Sequence, residues 1–492
     1  MKAKTLVLFA VCCLLTAVSS GQWWTGPYQL SSDTLQDVNP ATCKEWLFSD
    51  RTCLVWQTNR DGDWDIISRF HYYYNGEDWQ PELDVTRSPF EDICPAVACC
   101  NTWDADTGFW CVWERRGAEP PGKIMASRGD GSTWSAPVQL AACSSLPLDT
   151  AFPGVMVVND TAWVTWVSPD TEYYFIMGTR IAGDTWTDPE FVAGTGTRPN
   201  SVRVGRGGTD GDHHPLVVWE LGGDIWYTEY LDGAWTAPAE VAPSPSLDLC
   251  PDVISIGGWA GFDGPWVTWQ SDRDGDWAVY GTKGDTFQEC RRWCDASSGH
   301  NCRPAGTGAN FPVDYDARFV VWVSDRNGNP DIYSRWLDNA DYYVDLDPAQ
   351  DSNPVLTTLD LTKLWCLWQS DRSGNQDIWG SYLYWTGIEE MTNVECRMAN
   401  GQTIVRGVLS LGAGHDRNSL ANSGSCPKPV LLDAAGRRVM ELEPGDNDVS
   451  HLAPGVYFAV TPHPSLLPEG ERGPASGVEH PASGVRRAVI LR

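Results

Sequence analysis

A tryptophan that returns seven times constrains this chain more than any other feature. Trp56, Trp113, Trp166, Trp219, Trp269, Trp322 and Trp368 each close a short apolar run, at gaps of 57, 53, 53, 50, 53 and 46 residues. Units of roughly 40–50 residues rich in β-forming side chains correspond to four-stranded propeller blades. One blade cannot bury its own faces, so seven copies imply one closed ring. The expected fold is all-β, with a seven-bladed β-propeller over residues 21–390.

Three more elements keep step with the tryptophan. A proline opens an extended stretch ahead of each one: Pro40, Pro95, Pro153, Pro199, Pro251, Pro312 and Pro354. Proline is tolerated at the first residue of a strand, where no ladder donor is needed. A polar turn follows the tryptophan, most plainly Ser271-Asp272-Arg273-Asp274-Gly275, Ser324-Asp325-Arg326-Asn327-Gly328 and Ser370-Asp371-Arg372-Ser373-Gly374. Its Asp, Asn and Gly residues suit hairpin geometry. A second strand comes next, as in Asp331-Ile332-Tyr333, and the last element is Trp-x-x-Pro, as in Trp134 to Pro137, Trp186 to Pro189 and Trp235 to Pro238. The blade reads as strand a from the proline, b ending near the tryptophan, c after the turn, and d at Trp-x-x-Pro. The N-terminal Trp24-Thr25-Gly26-Pro27 is a strand d without its own a, b and c. That suggests it completes the seventh blade and leaves no open edge. A competing reading gives this place to Trp385-Thr386-Gly387-Ile388.

The turn Ser-Asp-Arg-x-Gly-x-x-Asp-Ile-Tyr, as in 324–333, resembles the repeat of TolB-like (WD-like) β-propellers. The likeness is good in blades one, five, six and seven, and limited to the tryptophan framework in blades two to four. In blade two, Ser127-Arg128-Gly129-Asp130-Gly131-Ser132-Thr133-Trp134 resembles in part the Asp-box of sialidase propellers. In both families these motifs are structural turns and name no ligand.

Residues 1–20 place Lys2 and Lys4 ahead of an apolar core, Leu6–Val18, followed by small residues. This is the pattern of a secretory signal peptide, too short and wrongly flanked for a membrane span. No other segment is apolar enough to cross a membrane. The chain is therefore read as exported, secreted or held at the cell surface, and not as an integral membrane protein. A net charge of −30 argues against nucleic acid, whose phosphates need a basic footprint. Export makes disulfides the expectation, with connectivity open. Cys290, Cys294 and Cys302, with His300 among them, read as a local disulfide ahead of a zinc site. Cys100, Cys111 and Cys366 read as buried thiols.

After about residue 391 the tryptophan repeat stops. Alternating apolar runs split by Asp-x-x-Gly and Pro-Gly turns predict a small C-terminal β-sandwich over 391–492. Their order resembles the C-terminal sorting domain of type IX secretion cargo, which makes the type IX secretion machinery the implied partner. That family's Asp-x-x-Gly-Arg hairpin, Leu-x-x-Gly-x-Tyr strand and basic-flanked last strand are matched by Asp433, Gly436, Arg437, Leu452, Gly455, Tyr457, Arg487 and Arg492. The chain departs from the family in an insert at 461–484, where Pro-Ala-Ser-Gly-Val is written twice and a short turn is usual. Its composition is that of a flexible loop. An adhesive β-sandwich without a sorting role is the alternative.

No Gly-x-Ser-x-Gly elbow, His-Glu-x-x-His helix or P-loop occurs. Asp212-His213-His214 adjoins a Gly/Asp-rich stretch and reads as a solvated loop ahead of a metal cluster. A site is suggested by topology instead. In four-stranded antiparallel blades the d–a links and b–c turns emerge on one face. There Asp37, Asp92, Asp149, Asp248 and Asp351 sit three or four residues before a strand-a proline. Because strand a lines the channel, the expectation is a ring of carboxylates at its mouth, with Asp272, Asp325 and Asp371 farther out. Clustered carboxylates recruit a cation, and hard oxygens suit Ca. The plainer reading is that each Asp caps its own turn. The expected function is a binding scaffold for a protein, glycan or cation ligand at this acidic face. A sialidase-like glycoside hydrolase is the alternative and needs a carboxylate pair roughly 5–10 Å apart in a cleft. A purely structural module is the third reading.

Overall fold

Seven antiparallel sheets lie along residues 25–384, six running from an inner to an outer strand in chain order and the seventh taking its outer strand from the N-terminus. The structure is a computed structural model. It describes residues 24–384 except 32–33, 44–50, 73–78, 100–107, 118–121, 143–150, 171, 210–211, 255–263, 285–286, 296–298, 312–313, 337–340 and 360–362, and beyond them seven strands. Two compact units divide the chain, Met1–Gly387 and Ile388–Arg492.

The first unit is a seven-bladed β-propeller. Blade one comprises Asp37–Thr42, Arg51–Thr58, Asp65–Tyr72 and Leu83–Asp84, and blade two Glu91–Cys99, Phe109–Arg116, Lys123–Gly129 and Val138–Ala142. The inner strands of blades three to six are Gly154–Val158, Ser201–Thr209, Asp248–Ile254 and Asn301–Phe311. All seven repeated tryptophans are at most 1% exposed. Their apolar clusters draw on adjoining blades: Leu54, Trp56 and Ile67 of blade one pack with Trp365, Leu367 and Ile378 of blade seven. The indole fills the gap between sheets that splay outward.

The recurring proline has a role beyond opening a strand. Opposite Trp56, Trp113, Trp269, Trp322 and Trp368 the inner strand carries two residues against one, namely Asn39-Pro40, Cys94-Pro95, Cys250-Pro251, Arg303-Pro304 and Asn353-Pro354. Phe152-Pro153 takes the same place in blade three, just ahead of the Gly154–Thr165 pair. The residue before each of these prolines has φ of 45–54°. This is a β-bulge, which bends the strand and re-aims its side chains. Blade six uses Pro304 where the sequence pointed to Pro312, a residue outside the described set. Blade four has no bulge: Val202 pairs directly with Trp219, and Pro199 lies ahead of the strand.

Trp-x-x-Pro is a corner before strand d, not strand d itself. Trp134 bridges back to Gly129, and the outer strand starts only after Pro137. In blade three Thr185–Trp186 precedes Glu190–Gly194, and in blade four Ala234–Trp235 precedes Ala239–Glu240. The corner indole reaches the preceding blade. Trp134 donates to Ser68 at 2.8 Å, Trp235 to Glu190 at 3.3 Å and Trp24 to Ser334 at 3.0 Å.

The ring closes through its N-terminus. Thr25–Gln29 pairs with Asp377–Tyr384 as the fourth strand of blade seven, beside Asp351–Leu359 and Lys363–Ser370. The Leu30 amide then donates to the Ile378 carbonyl at 2.7 Å. The competing segment, Trp385–Ile388, lies outside the described residues. Inner strands add to the seam: Thr42 donates to the Leu356 carbonyl and Thr357 to that of Cys43, at 2.9 and 2.8 Å. Farther out, His71 is fully buried against Trp79 and Trp365, with ring centroids 5.2 and 5.6 Å away.

In the second unit, the strands Thr403–Val405, Val485–Ile490, Gly455–Val460, Val430–Asp433 and Arg438–Glu441 form one sheet in that order, and Val408–Leu411 pairs with Gly445–Asp448. Asp433 pairs with Tyr457, and Phe458 with Arg487. Gly436, Arg437, Leu452, Arg492 and the insert 461–484 lie outside the described residues.

Burial, and after it the nearby Lys363, pushes the His71 pKa down to about 4. The unfolded chain takes up this proton near pH 6.5, whereas the folded chain resists until about pH 4, so His71 costs stability progressively as pH falls through that window. In chemical denaturation from pH 7.5 to 4, His71→Phe is expected to lack this loss. The difference between the two proteins should grow in the variant's favour by on the order of 3 kcal/mol.

Candidate functional site

The inner strands enclose a cavity of about 540 Å³ on the propeller axis. Strand registers sort its lining into levels. At the bulge level stand Asn39, Cys94, Phe152, Cys250, Arg303 and Asn353, joined by Asn200 of the unbulged blade. One step deeper, six blades present Ala41, Ala96, Gly154, Asp252, Ala305 and Val355, each opposite the residue before its tryptophan. Blade four places Arg203 at that level, opposite Val218. Small neighbours leave its long side chain room, and it remains 49% exposed. Asp252 approaches Arg203 to 4.0 Å, is itself buried, and accepts the Gly306 amide at 2.8 Å.

The rim is held by the residue that follows the repeated tryptophan. The side chain of Gln57 accepts the Cys94 amide at 3.0 Å, Glu114 that of Ala151 at 2.7 Å, Glu220 that of Cys250 at 3.0 Å, Gln270 that of Arg303 at 2.8 Å and Gln369 that of Asn39 at 3.0 Å. Each bond ties one blade to the next. Gln369 also accepts from Asn353, and Gln57 from Asn39, while Arg303 donates to Asn353. A chain of amides thus runs around the rim from blade six to blade two. These glutamines and glutamates were open to sequence reading as Trp-Gln or Trp-Glu in five of seven repeats, but no local rule marks them as inter-blade acceptors.

The expected carboxylate ring is not at the mouth. Asp37, Asp92, Asp248 and Asp351 are at most 1% exposed, and none lines the cavity. Each turns into its own blade toward an arginine, that of the b–c turn for Asp37, Asp248 and Asp351 and one near the end of strand b for Asp92. Asp92 binds Arg115 through both oxygens at 2.7 and 2.8 Å and also accepts the Trp113 indole. Asp248 meets Arg273 at 2.7 Å, Asp351 meets Arg372 at 3.1 Å, and Asp37 lies 3.7 Å from Arg60. Burial outweighs Arg372 and raises the Asp351 pKa to about 6. Asp149 lies outside the described residues. Among the described residues no three His, Cys, Asp or Glu side chains are grouped to hold a metal ion.

The same geometry explains the Ser-Asp-Arg-x-Gly turn. Its serine accepts the arginine Nε, as Ser370 does from Arg372 at 3.0 Å. Its aspartate caps the d–a link: Asp272 accepts the Leu247 amide, Asp325 that of His300 and Asp371 that of Gln350. The arginine stacks on the aromatic residues of strands b and c, as Arg273 does on Trp269 and Tyr280 at 5.4 and 4.9 Å. Glycine supplies φ of 91–103° in blades five to seven. In blade two Asp130 caps Ser132 and Thr133 through their amides and hydroxyls, and those amide bonds lower its pKa to about 2.

No disulfide joins the described cysteines, which corrects the expectation for Cys290, Cys294 and Cys302. They serve separate surroundings: Cys290 and Cys294 belong to the blade-five cluster, and Cys302 packs in that of blades six and seven. Cys111 and Cys366 are buried thiols, whereas Cys100 is outside the described residues. Cys94 and Cys250 face the cavity. Burial raises both pKa values, that of Cys94 to about 11, so both stay protonated although Arg203 acts on each in the opposite sense. His213 and His214 belong to strand Asp212–Leu221 and not to a loop, and His214 bonds Glu229 at 3.0 Å.

No family model and no curated protein matches the chain. Among solved structures it is similar to a protein of unknown function from Dyadobacter fermentans, at 12% identity over 73% of this chain and 99% of that one, with a TM-score of 0.43. It is also similar to an intramolecular trans-sialidase from Ruminococcus gnavus, at 9% identity over 73% and 97%, with a TM-score of 0.42. A putative TolB from Agrobacterium tumefaciens matches at 15% identity over 44% and 88%, with a TM-score of 0.29.

The rim bonds generate a paired test. Glu114 is fully buried and accepts from a buried amide, and glutamine holds the equivalent place in three other blades. Glu114→Gln should change stability by about 1 kcal/mol or less, because an acceptor oxygen remains for the Ala151 amide and the partly exposed Arg116, which loses its charged partner at 2.7 Å, can turn to solvent. Glu114→Leu should cost about 1–3 kcal/mol by leaving the Ala151 amide unpaired. Urea denaturation of both variants measures the contrast.

Proposed function

We propose that this chain is an exported propeller that binds a small anionic ligand in its central cavity. The observation that carries the reading is the pair Arg203 and Arg303, both exposed and both lining the cavity of a chain whose net charge is −30. One carboxylate, Asp252, stands against these two guanidiniums within the described lining. The remaining polar groups are amides, hydroxyls and thiols, which donate hydrogen bonds without adding charge. The site is thus of opposite sign to the acidic mouth expected from sequence, which favours a carboxylate or phosphate over a cation. Guanidinium pairs such groups through two parallel hydrogen bonds. A single buried carboxylate supports binding over the hydrolase alternative, since glycoside hydrolysis ordinarily uses two.

Calorimetric titration of the full chain with acetate, succinate, citrate and inorganic phosphate tests this. Saturable binding by at least one, weakened about tenfold or more by Arg203→Ala or Arg303→Ala and by added salt, is the expected result. Absence of heat with all four would remove the reading.

We further propose that the N-terminal segment directs export and that the C-terminal unit acts as a sorting β-sandwich for the type IX machinery, leaving the propeller secreted or at the cell surface. What supports this is the sequence order of Asp433, Gly436, Arg437, Leu452, Gly455, Tyr457, Arg487 and Arg492. Residues 391–492 fused behind a signal peptide and a fluorescent reporter should carry the reporter outside a bacterium that has type IX secretion, and not outside a mutant lacking it. Retention in the periplasm of both strains would refute the sorting role.

A further inference from the structure

A groove of about 500 Å³ opens where strand d of blade three meets the c–d corner of blade four. Phe191 stands on one side with 58% of its surface exposed, touching Phe175 edge-on at 5.9 Å. Tyr230 and Trp235 stand on the other. Between them lies the carboxylate of Glu190, which accepts the Trp235 indole at 3.3 Å and the Arg180 guanidinium at 3.0 Å. Arg180 in turn lies over Trp163 and Tyr230, 5.2 and 5.4 Å from their ring centres, and donates to the Tyr230 hydroxyl at 3.2 Å. The Glu190 side chain is 28% exposed, and each carboxylate oxygen has lone pairs beyond the one already used.

We propose that this groove binds a neutral saccharide of one or two rings. A pyranose offers an apolar C–H face, which matches an exposed aromatic ring, and adjacent hydroxyls on its edge, which match a carboxylate held in place by Arg180 and Trp235. Few but well-oriented polar groups among aromatic walls are the usual composition of a ligand site. Neutral sugars fit where acidic ones do not, because Arg180 is already paired with Glu190 and the described lining of the groove holds no other cation to meet an anion. The inter-blade contact alone accounts for the bond between Trp235 and Glu190, but not for the exposed Phe191. The equivalent corner of blade two shows the difference. There blade one covers the turn, with the Tyr72 hydroxyl on the Gly131 carbonyl at 2.5 Å and Arg51 on that of Asp130 at 2.8 Å, and Trp134 stacks on Phe70.

The test is a titration of the full chain with D-glucose, D-galactose, D-mannose, L-fucose and N-acetyl-D-glucosamine, followed by tryptophan fluorescence and calorimetry. Saturable binding of at least one sugar in the millimolar range or tighter is expected. Phe191→Ala and Glu190→Gln should each weaken it about tenfold or more, while Arg303→Ala in the central cavity leaves it unchanged. Phe191 is exposed enough that its truncation leaves the fold intact, so this variant decides the matter even if Glu190→Gln melts early. No saturable signal with any of the five sugars, or unchanged affinity in both groove variants, would overturn the proposal.

Discussion

One hydrogen bond organises the inner ring: the backbone amide at or beside five of the six bulges donates to the glutamine or glutamate that follows the tryptophan of the blade before. Five of the seven seams carry it. The bond needs the bulge, because the bulge turns an inner-strand amide out of its own ladder and toward the neighbouring blade. It also needs the tryptophan, whose packing fixes where the next side chain starts. A blade has two faces and can bury them only against neighbours, so stability accrues at seams and is complete only when the ring shuts. The N-terminal strand on blade seven, and the Thr42 and Thr357 bonds inside it, supply that last seam.

The same seams decide the chemistry of the cavity. Arginines at the end of strand b or in the b–c turn draw Asp92, Asp248 and Asp351 into the blades, where each ion pair is shielded from water. A buried carboxylate without a partner is costly, and removing either member of such a pair leaves the other exposed to that cost. The acids of the motif are thereby committed to structure. What remains to face the channel are the bulge residues, which make no ladder bonds of their own, and the odd blade out. Blade four lacks the bulge, and at the level where its neighbours are small it presents Arg203. The cationic spot in this acidic protein thus combines one irregularity in the repeat, Arg203, with one ordinary bulge residue, Arg303.

The number of blades, their phase and the closing strand were all legible in the sequence, because each rests on a local rule: a tryptophan spacing, a Gly-containing turn, an unmatched Trp-x-x-Pro at the start. Asp272, Asp325 and Asp371 proved to cap the d–a link and not their own turn, so the plainer reading of Asx chemistry held in kind but not in place. Other details were not legible. Pro304 and Pro312 are equally good strand openers on paper, and only pairing with Trp322 selects the first. Trp-x-x-Pro reads as a strand because tryptophan favours sheets, yet its indole is used across the seam. The cysteine spacing that suggested a bridge says nothing of Cys302 lying in a different packing cluster from Cys290 and Cys294.

Sequence by itself determined the all-β repeat and its sevenfold count, since periodic burial of one large side chain admits few other folds. Tertiary structure alone decided which way the inner strands face. A strand alternates its side chains with a period of two, so one extra residue reverses every assignment beyond it. The X-Pro bulge is that extra residue. Counting from the proline places Asp37, Asp92, Asp248 and Asp351 at the channel mouth, whereas the bulged strand sets them against arginine inside the blade and leaves Asn39, Arg303 and Asn353 at the rim. Pairing across strands fixes that reversal, and pairing is a property of the folded ring.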